Sequence, residues 1–235
     1  MTSLGRKVEV LLKEISDKYQ YIHIGDLPSV RSKLAILEAD GVDKTHIVTD
    51  FDMTLTKYWK NGERSMSSHG VVENSSVLPP SVRDGMRKLY AKYYPIEIDK
   101  HIPFPEKVQA MVEWWTHAHD LLINDAHLLR STIAEMVLEN PVSFRDGIGA
   151  FLKMTQEITM PVLVFSAGLA DLIDEILTSS GYSPPNLTIV SNEMSFDEGG
   201  KLIGFKDPLI HTFNKNEATA SDLHTSKIAG RDHVV

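Results

Sequence analysis

Asp50 and Asp52 stand one residue apart in Asp50-Phe51-Asp52-Met53-Thr54, directly after the short apolar, β-branched run His46-Ile-Val-Thr. A run of that kind, bounded by polar residues, reads as a buried strand, and open parallel sheets place their ligand sites at the carboxyl ends of such strands. Paired carboxylates at that position suit either catalysis or cation binding. Asp-x-Asp-x-Thr also opens calcium loops, but an EF-hand loop requires Gly at its sixth position and Glu at its twelfth. Those positions hold Leu55 and Asn61, so the calcium reading fails. The pentapeptide alone leaves open a polar loop with helix-capping aspartates.

Two later features favour chemistry. Phe165-Ser166-Ala167-Gly168 ends a second apolar run and begins a helical pattern, so its hydroxyl and backbone N–H groups could hold a phosphate. Lys215, in Phe213-Asn-Lys-Asn, offers an ammonium that could neutralise a phosphoryl group and keep a neighbouring carboxylate ionised. The order of aspartate pair, strand-end serine and later lysine resembles the first three motifs of the haloacid dehalogenase phosphohydrolases.

The elements that would position these groups follow from periodicity. Val8, Leu11, Leu12 and Ile15 recur at helical spacing, and Asp26-Leu-Pro28 caps a second helix running to about Leu37. From about Thr56 to Arg145 the pattern is helical: one helix opens at Pro79-Pro80, one opens at Pro105 and passes Leu122, and one spans about Leu128 to Leu138. A helix from Gly147 to Ile158, a strand Pro161–Ser166, a helix Leu169–Ser179 and a strand Leu187–Ser191 then imply parallel pairing with right-handed crossovers. Asp197-Glu-Gly-Gly-Lys201 signals a hairpin. The expected fold is α/β, a doubly wound parallel sheet with an inserted helical cap. Residues 1–55 would be the first part of the core, 56–145 the cap, 146–220 the second part of the core and 221–235 a divergent tail.

Composition narrows the partners. The 235 residues are 42% hydrophobic and 24% charged, enough for one sizeable core carrying a smaller insertion. The net charge of -8 argues against a nucleic-acid polymer or an anionic membrane as the main partner. With no cysteine, thiolate zinc sites, disulfides and cysteine nucleophiles are excluded, which suits a cytoplasmic setting. No apolar run reaches export-signal or membrane-spanning length.

From Val48 to about Lys215, some seven tenths of the chain, the sequence resembles the cytosolic 5′-nucleotidase III family. The likeness rests on Thr49-Asp-Phe-Asp-Met-Thr-Leu-Thr56, Tyr93-Tyr-Pro-Ile-Glu-Ile-Asp99, Met111-Val-Glu-Trp-Trp115 and Gly204-Phe-Lys-Asp-Pro-Leu-Ile-His211. The resemblance implies a magnesium-dependent monomer that hydrolyses nucleoside 5′-monophosphates. It implies Asp50 as nucleophile, Asp52 as acid and base, and magnesium held by Asp50 and the main-chain carbonyl of Asp52. Ser166, Ala167 and Lys215 would cradle the phosphate, and Glu97 would bind the base from a loop after the first cap helix. Of the two tryptophans, Trp114 is the better base-site candidate, since Trp115 shares a helical stripe with Val108, Met111, Val112 and Leu122. Trp115 and Ala118 nonetheless resemble the branch preferring 7-methylguanosine monophosphate over pyrimidine nucleotides.

His117 and His119 stand two apart on a helix and so cannot share one metal ion; solvation or capping contacts are expected. His69 is a weak loop candidate. Family members continue to a Gly-Asp-x-x-x-Asp segment whose acids serve the metal, and nothing after Lys215 matches it. Asp222 and Asp232 follow no apolar strand and are not assigned to metal. The expectation is therefore a truncated or variant core, with the first strand bare on one flank and activity impaired. The rivals are a silent nucleotide-binding protein and a phosphatase of the same superfamily acting on phosphoserine or a sugar phosphate.

Overall fold

The computed structural model describes residues 3–216 and 228–235. It opens with α1 (Ser3–Lys18) and α2 (Leu27–Asp40), which pack against each other. Asp26 caps α2 by accepting a hydrogen bond from the Ser29 N–H, and Pro28 sits in the first turn, where its missing N–H costs nothing. A 3₁₀ turn leads into β1 (Thr45–Thr49).

Between β1 and the next core strand lies the helical insertion, hereafter the cap. It begins with a small hairpin, β2 (Trp59–Lys60) and β3 (Glu63–Arg64), that the sequence pattern does not announce. Asn61 and Gly62 both take positive φ, as a tight turn requires. Then come α3 (Ser68–Asn74), α4 (Pro80–Ile98), α5 (Phe104–Asp120) and α6 (Ile133–Glu139), with a π turn over Leu121–Asp125 extending α5. Glu97 lies in the last turn of α4 and not in the loop expected there. The helix continues through Pro95, which leaves one i→i−4 hydrogen bond unmade, to Ile98.

The core resumes with α7 (Ile148–Glu157), β4 (Val162–Leu169), α8 (Ala170–Ser179), β5 (Leu187–Asn192) and the antiparallel hairpin of β6 (Met194–Phe196) and β7 (Leu202–Phe205). A final strand, β8 (His233–Val234), completes a four-stranded sheet in the order β5-β4-β1-β8, with every pairing parallel. The expected α/β class with a parallel sheet is what the chain adopts.

The first strand is not bare on its outer flank. Thr45 pairs with His233 and His46 with Val234, and Val48 N–H donates to Val235 O at 3.1 Å. Arg231 secures this segment by donating to the carbonyls of Val42 and Thr45, both at 2.7 Å, and His233 meets the Asp40 carboxylate at 2.6 Å. Three residues are too few for a periodic signal, so this strand exists because β1 offers it a ladder. Asp232 stays at the surface, 3.9 Å from Lys44; Asp222 lies outside the described residues.

The main core joins both halves: Phe51, Val71, Val72, Leu78 and Met136 from the first strand end and cap pack with Val164, Leu172, Ile173 and Ile176. Asn192, 1% exposed, holds the end of β4 in place. Its amide donates to the carbonyls of Ala167, Gly168 and Ile210 at 3.0, 3.0 and 2.8 Å, while its oxygen accepts from Ile210 N–H at 2.8 Å. Replacing it with alanine strands several buried polar groups, each costing about 1–3 kcal/mol. Asn192→Ala is expected to lower unfolding free energy by on the order of 3 kcal/mol in urea titrations.

Candidate active site

Phe51 is fully buried, in edge contact with Phe144, and so pins the chain between the two aspartates. Beyond it the backbone turns sharply: Met53 takes φ 63°, a left-handed conformation that an L side chain tolerates only when its surroundings enforce it. Buried Thr56 supplies that enforcement by accepting from Met53 N–H at 2.8 Å, and Arg145 donates to the carbonyls of Met53 and Thr54, both at 2.8 Å. This turn, closed by Asp-x-Asp-x-Thr-x-Thr, lets both carboxylates face one cavity.

That cavity, of about 270 Å³, is lined by Asp50, Asp52, Ser166, Ala167, Gly168 and Lys215, with His69, Glu97, Trp115 and Thr212 on the cap side. Asp50 Oδ1 accepts from its neighbour Phe51 N–H and from Lys215 Nζ, both at 2.9 Å. Its Oδ2 takes no hydrogen bond among the described residues. Lys215 is carried by a loop whose fold is set locally: His211 N–H donates to Asn214 Oδ1, and the Asn214 amide donates to Leu209 O. Ser166 is 2% exposed, and its hydroxyl oxygen accepts from Gly168 N–H at 3.1 Å.

Asp52 sits deeper. Ser68, fully buried at the start of α3, donates its N–H to Asp52 Oδ1 and its hydroxyl to Oδ2, both at 2.7 Å. Burial pushes the Asp52 carboxyl above the usual carboxylate range; the Ser68 bonds oppose this, the Asp50 charge adds to it and Lys215 offsets it. One carboxylate is thus ion-paired and accessible while its neighbour is desolvated. Such divergence separates a nucleophile from a proton donor.

A second cavity, of about 250 Å³, adjoins the first and shares His69, Glu97 and Trp115 with it. Its aromatic walls are Tyr90, Tyr94, Trp114 and Trp115, and Ala118 closes one side. Trp114 stacks on Tyr93, with centroids 6.0 Å apart and 14° between planes. Trp115 does more than pack: its indole N–H donates to Ala167 O at 2.8 Å, fastening α5 to the end of β4. Glu97 Oε1 accepts from Thr212 in the Lys215 loop at 2.7 Å. Glu73 adds a second carboxylate to this cavity, its pKa raised by burial against the opposing pull of Arg87.

Every residue singled out from the sequence, Asp50, Asp52, Ser166, Ala167, Lys215, Glu97, Trp114, Trp115 and Ala118, therefore lines one of two connected cavities. Glu73, Tyr90, Tyr94 and Arg64 join them without a sequence signal strong enough to select them, and Ser68 stands behind Asp52 without lining either cavity. His69 belongs to α3, in edge contact with Trp115, and burial pushes its pKa down to about 4. His117 approaches Tyr93 Oη at 3.5 Å. His119 is neither solvated nor capping; it is 6% exposed and stacked 3.6 Å from the Phe205 ring.

Comparison with known proteins agrees with this geometry. A family model described as pyrimidine 5′-nucleotidase (UMPH-1) matches residues 53–235. The 7-methylguanosine phosphate-specific 5′-nucleotidase A of Xenopus laevis is 36% identical over 206 residues, 88% of this chain and 71% of that protein. The chain belongs to the cytosolic 5′-nucleotidase III family. This places it, as the motifs imply, among the haloacid dehalogenase-like proteins. The human 7-methylguanosine phosphate-specific 5′-nucleotidase is 37% identical, covering 88% of this chain and 69% of the human one. A crystal structure of cytosolic 5′-nucleotidase IIIB bound to cytidine superposes with a TM-score of 0.86 at 35% identity, over 95% of this chain and 76% of that one.

Burial pushes the His119 pKa down to about 3, with the nearby His69 contributing. In the unfolded chain the same imidazole titrates near 6.5, so below that pH the unfolded state binds the extra proton and stability drains as pH falls. His119→Phe keeps the stack on Phe205 and removes this liability. Between pH 7 and pH 5 the parent chain is expected to lose about 2 kcal/mol more stability than the variant, measured by denaturant titration at each pH.

Proposed function

We propose that the chain is a 5′-nucleotidase that hydrolyses nucleoside 5′-monophosphates through an aspartyl-phosphate. The observation that carries the reading is the convergence of Asp50, Asp52, Ser166 and Lys215 on a cavity opening directly into an aromatic and acidic one. The first cavity suits a phosphate and the second a planar base. Residues 56–145 act as the cap that brings the base cavity over the core. A cytoplasmic location suits a substrate of this kind.

In the first step an Asp50 carboxylate oxygen attacks phosphorus in line. The bond from phosphorus to the ribose 5′ oxygen breaks, and the Asp52 proton passes to that oxygen. In the second, water attacks the aspartyl-phosphate, Asp52 takes the water proton, and phosphate leaves with Asp50 regenerated. Lys215 balances the charge of Asp50 and of the transferring group, while Ser166 and the Ala167 N–H orient the phosphate oxygens.

The donors present suit magnesium: a half-exposed Asp50 carboxylate and the Asp52 carbonyl, which takes no hydrogen bond among the described residues. Among the described residues no third acidic side chain joins them, so magnesium would take the rest of its shell from water and substrate oxygens and would bind more weakly than with a further carboxylate. When bound, magnesium supplies charge neutralisation of the phosphoryl oxygens.

For the base, Glu97 and Glu73 offer hydrogen-bond acceptors and the aromatic walls suit a planar ring, with Arg64 in the same lining and over the Tyr94 ring. The two carboxylates beside Trp114 and Trp115 favour the cationic base of 7-methylguanosine monophosphate, with cytidine monophosphate the alternative. Phosphate release from 7-methylguanosine monophosphate, CMP and AMP, with and without magnesium, tests the reading. Asp50→Asn is expected to abolish release; turnover surviving in that variant sinks the proposal, and nucleotide binding without turnover assigns a silent binder instead. Glu97→Gln is expected to raise KM for the preferred nucleotide about tenfold while leaving hydrolysis of p-nitrophenyl phosphate, which has no base, within about twofold.

A further inference from the structure

Three features converge on one residue outside the expected motifs. Ser68 belongs to the cap, Asp52 to the core, and sixteen residues separate them in sequence, yet both oxygens of the Asp52 carboxyl are held by Ser68, one by its N–H and one by its hydroxyl, at 2.7 Å each. Ser68 is completely buried, and Asp52 is partly buried beside it. The third feature is Gly168, near the end of β4. A methyl group there would lie 2.3 Å from Ser68 Oγ and 3.3 Å from Ser166 Oγ, so the serine reaches the aspartate only across a residue without a side chain. Ser68 is itself held: Ser67 accepts from Gly70 N–H at 3.1 Å at the turn that begins α3, and Val71 and Val72 anchor that helix in the main core.

We propose that Ser68 is a positioning residue that aims the Asp52 carboxyl and makes proton donation depend on the cap being in place. The inference rests on the nucleotidase reading of the site. The Ser68 hydroxyl donates to Oδ2 and its N–H to Oδ1, so one lone pair on each oxygen is engaged whether the carboxyl is ionised or carries its proton on a remaining one. The remaining lone pairs and the proton of the acid are thereby directed to the cavity, where the leaving oxygen sits. Displacing the cap removes both bonds and admits water to the carboxyl. A core without its cap then retains the nucleophile, Lys215 and Ser166 but has no aimed acid.

Leaving-group chemistry separates this role from a general structural one. A ribose 5′ oxygen is a poor leaving group that needs the proton; p-nitrophenolate leaves without it. In the full chain, Ser68→Ala is expected to lower kcat/KM for CMP by on the order of 10- to 100-fold, and for p-nitrophenyl phosphate by less than about threefold. Equal losses on both substrates, or none on either, overturn the proposal. A second measurement does not depend on turnover: the Ser68 amide proton, bonded to a carboxylate, is expected downfield in the ¹H–¹⁵N spectrum and to move upfield in Asp52→Ala. An amide indifferent to that substitution also overturns it. Asp50→Asn, run in parallel, reports on the nucleotidase reading alone: turnover surviving there refutes that reading, while the amide shift still decides the Ser68 contact.

Discussion

Parallel pairing of β1 with β4 is the constraint on which the site depends. Thr49 lies beside Val164, so Asp50, which follows β1, and Phe165-Ser166 of β4 stand side by side at the same end of the sheet. A slip of one residue would reverse the faces of every side chain and bury what must face the cavity. The slip is opposed from both sides: Val162 and Val164 are fully buried, and Asn192 clamps the far end of β4 by two hydrogen bonds and ties it to Ile210 by two more. Catalytic geometry is thus set by apolar burial and backbone satisfaction before any charged group is considered.

Among the contacts that join residues 56–145 to the core, three lie at the cavities. Trp115 reaches Ala167, Thr212 reaches Glu97, and Ser68 reaches Asp52. Each tether involves a residue that also lines a cavity, so the cap cannot shift relative to the core without changing the walls of the place where substrate would lie. The loop of Leu209 to Lys215 takes part twice, touching α4 through Thr212 and Asp50 through Lys215. That short segment mechanically connects Asp50 with Glu97, which lines both cavities.

The core elements were legible because burial writes directly into composition: β1, β4 and β5 are short runs of β-branched and aromatic residues between polar turns, and α7 and α8 carry apolar stripes. Asp50, Ser166 and Lys215 were legible from their places at strand ends and from their order along the chain. What escaped was tertiary. Ser68 is one serine among several near residues 65–76, and only the approach of Gly168 distinguishes it. Glu97 was expected in a loop after the first cap helix, whereas α4 continues through Pro95 to include it. The assignment of Trp115 to a helical stripe was sound as periodicity, but periodicity cannot disclose that its indole N–H meets a carbonyl 52 residues away. β8 is too short to write any pattern at all.

The chain has three tryptophans, and their placement makes the protein its own optical reporter. Trp59, on the β2–β3 hairpin, is 62% exposed, whereas Trp115 is 9% exposed and Trp114 stands in the wall of the aromatic cavity. A collisional quencher dissolved in water extinguishes the emission of Trp59 first and leaves the light of the other two. That residual light comes from the junction between cap and core. Its colour and lifetime follow the polarity around two indoles, one of them bonded to the end of β4, so occupancy of the cavity can be followed without any attached label.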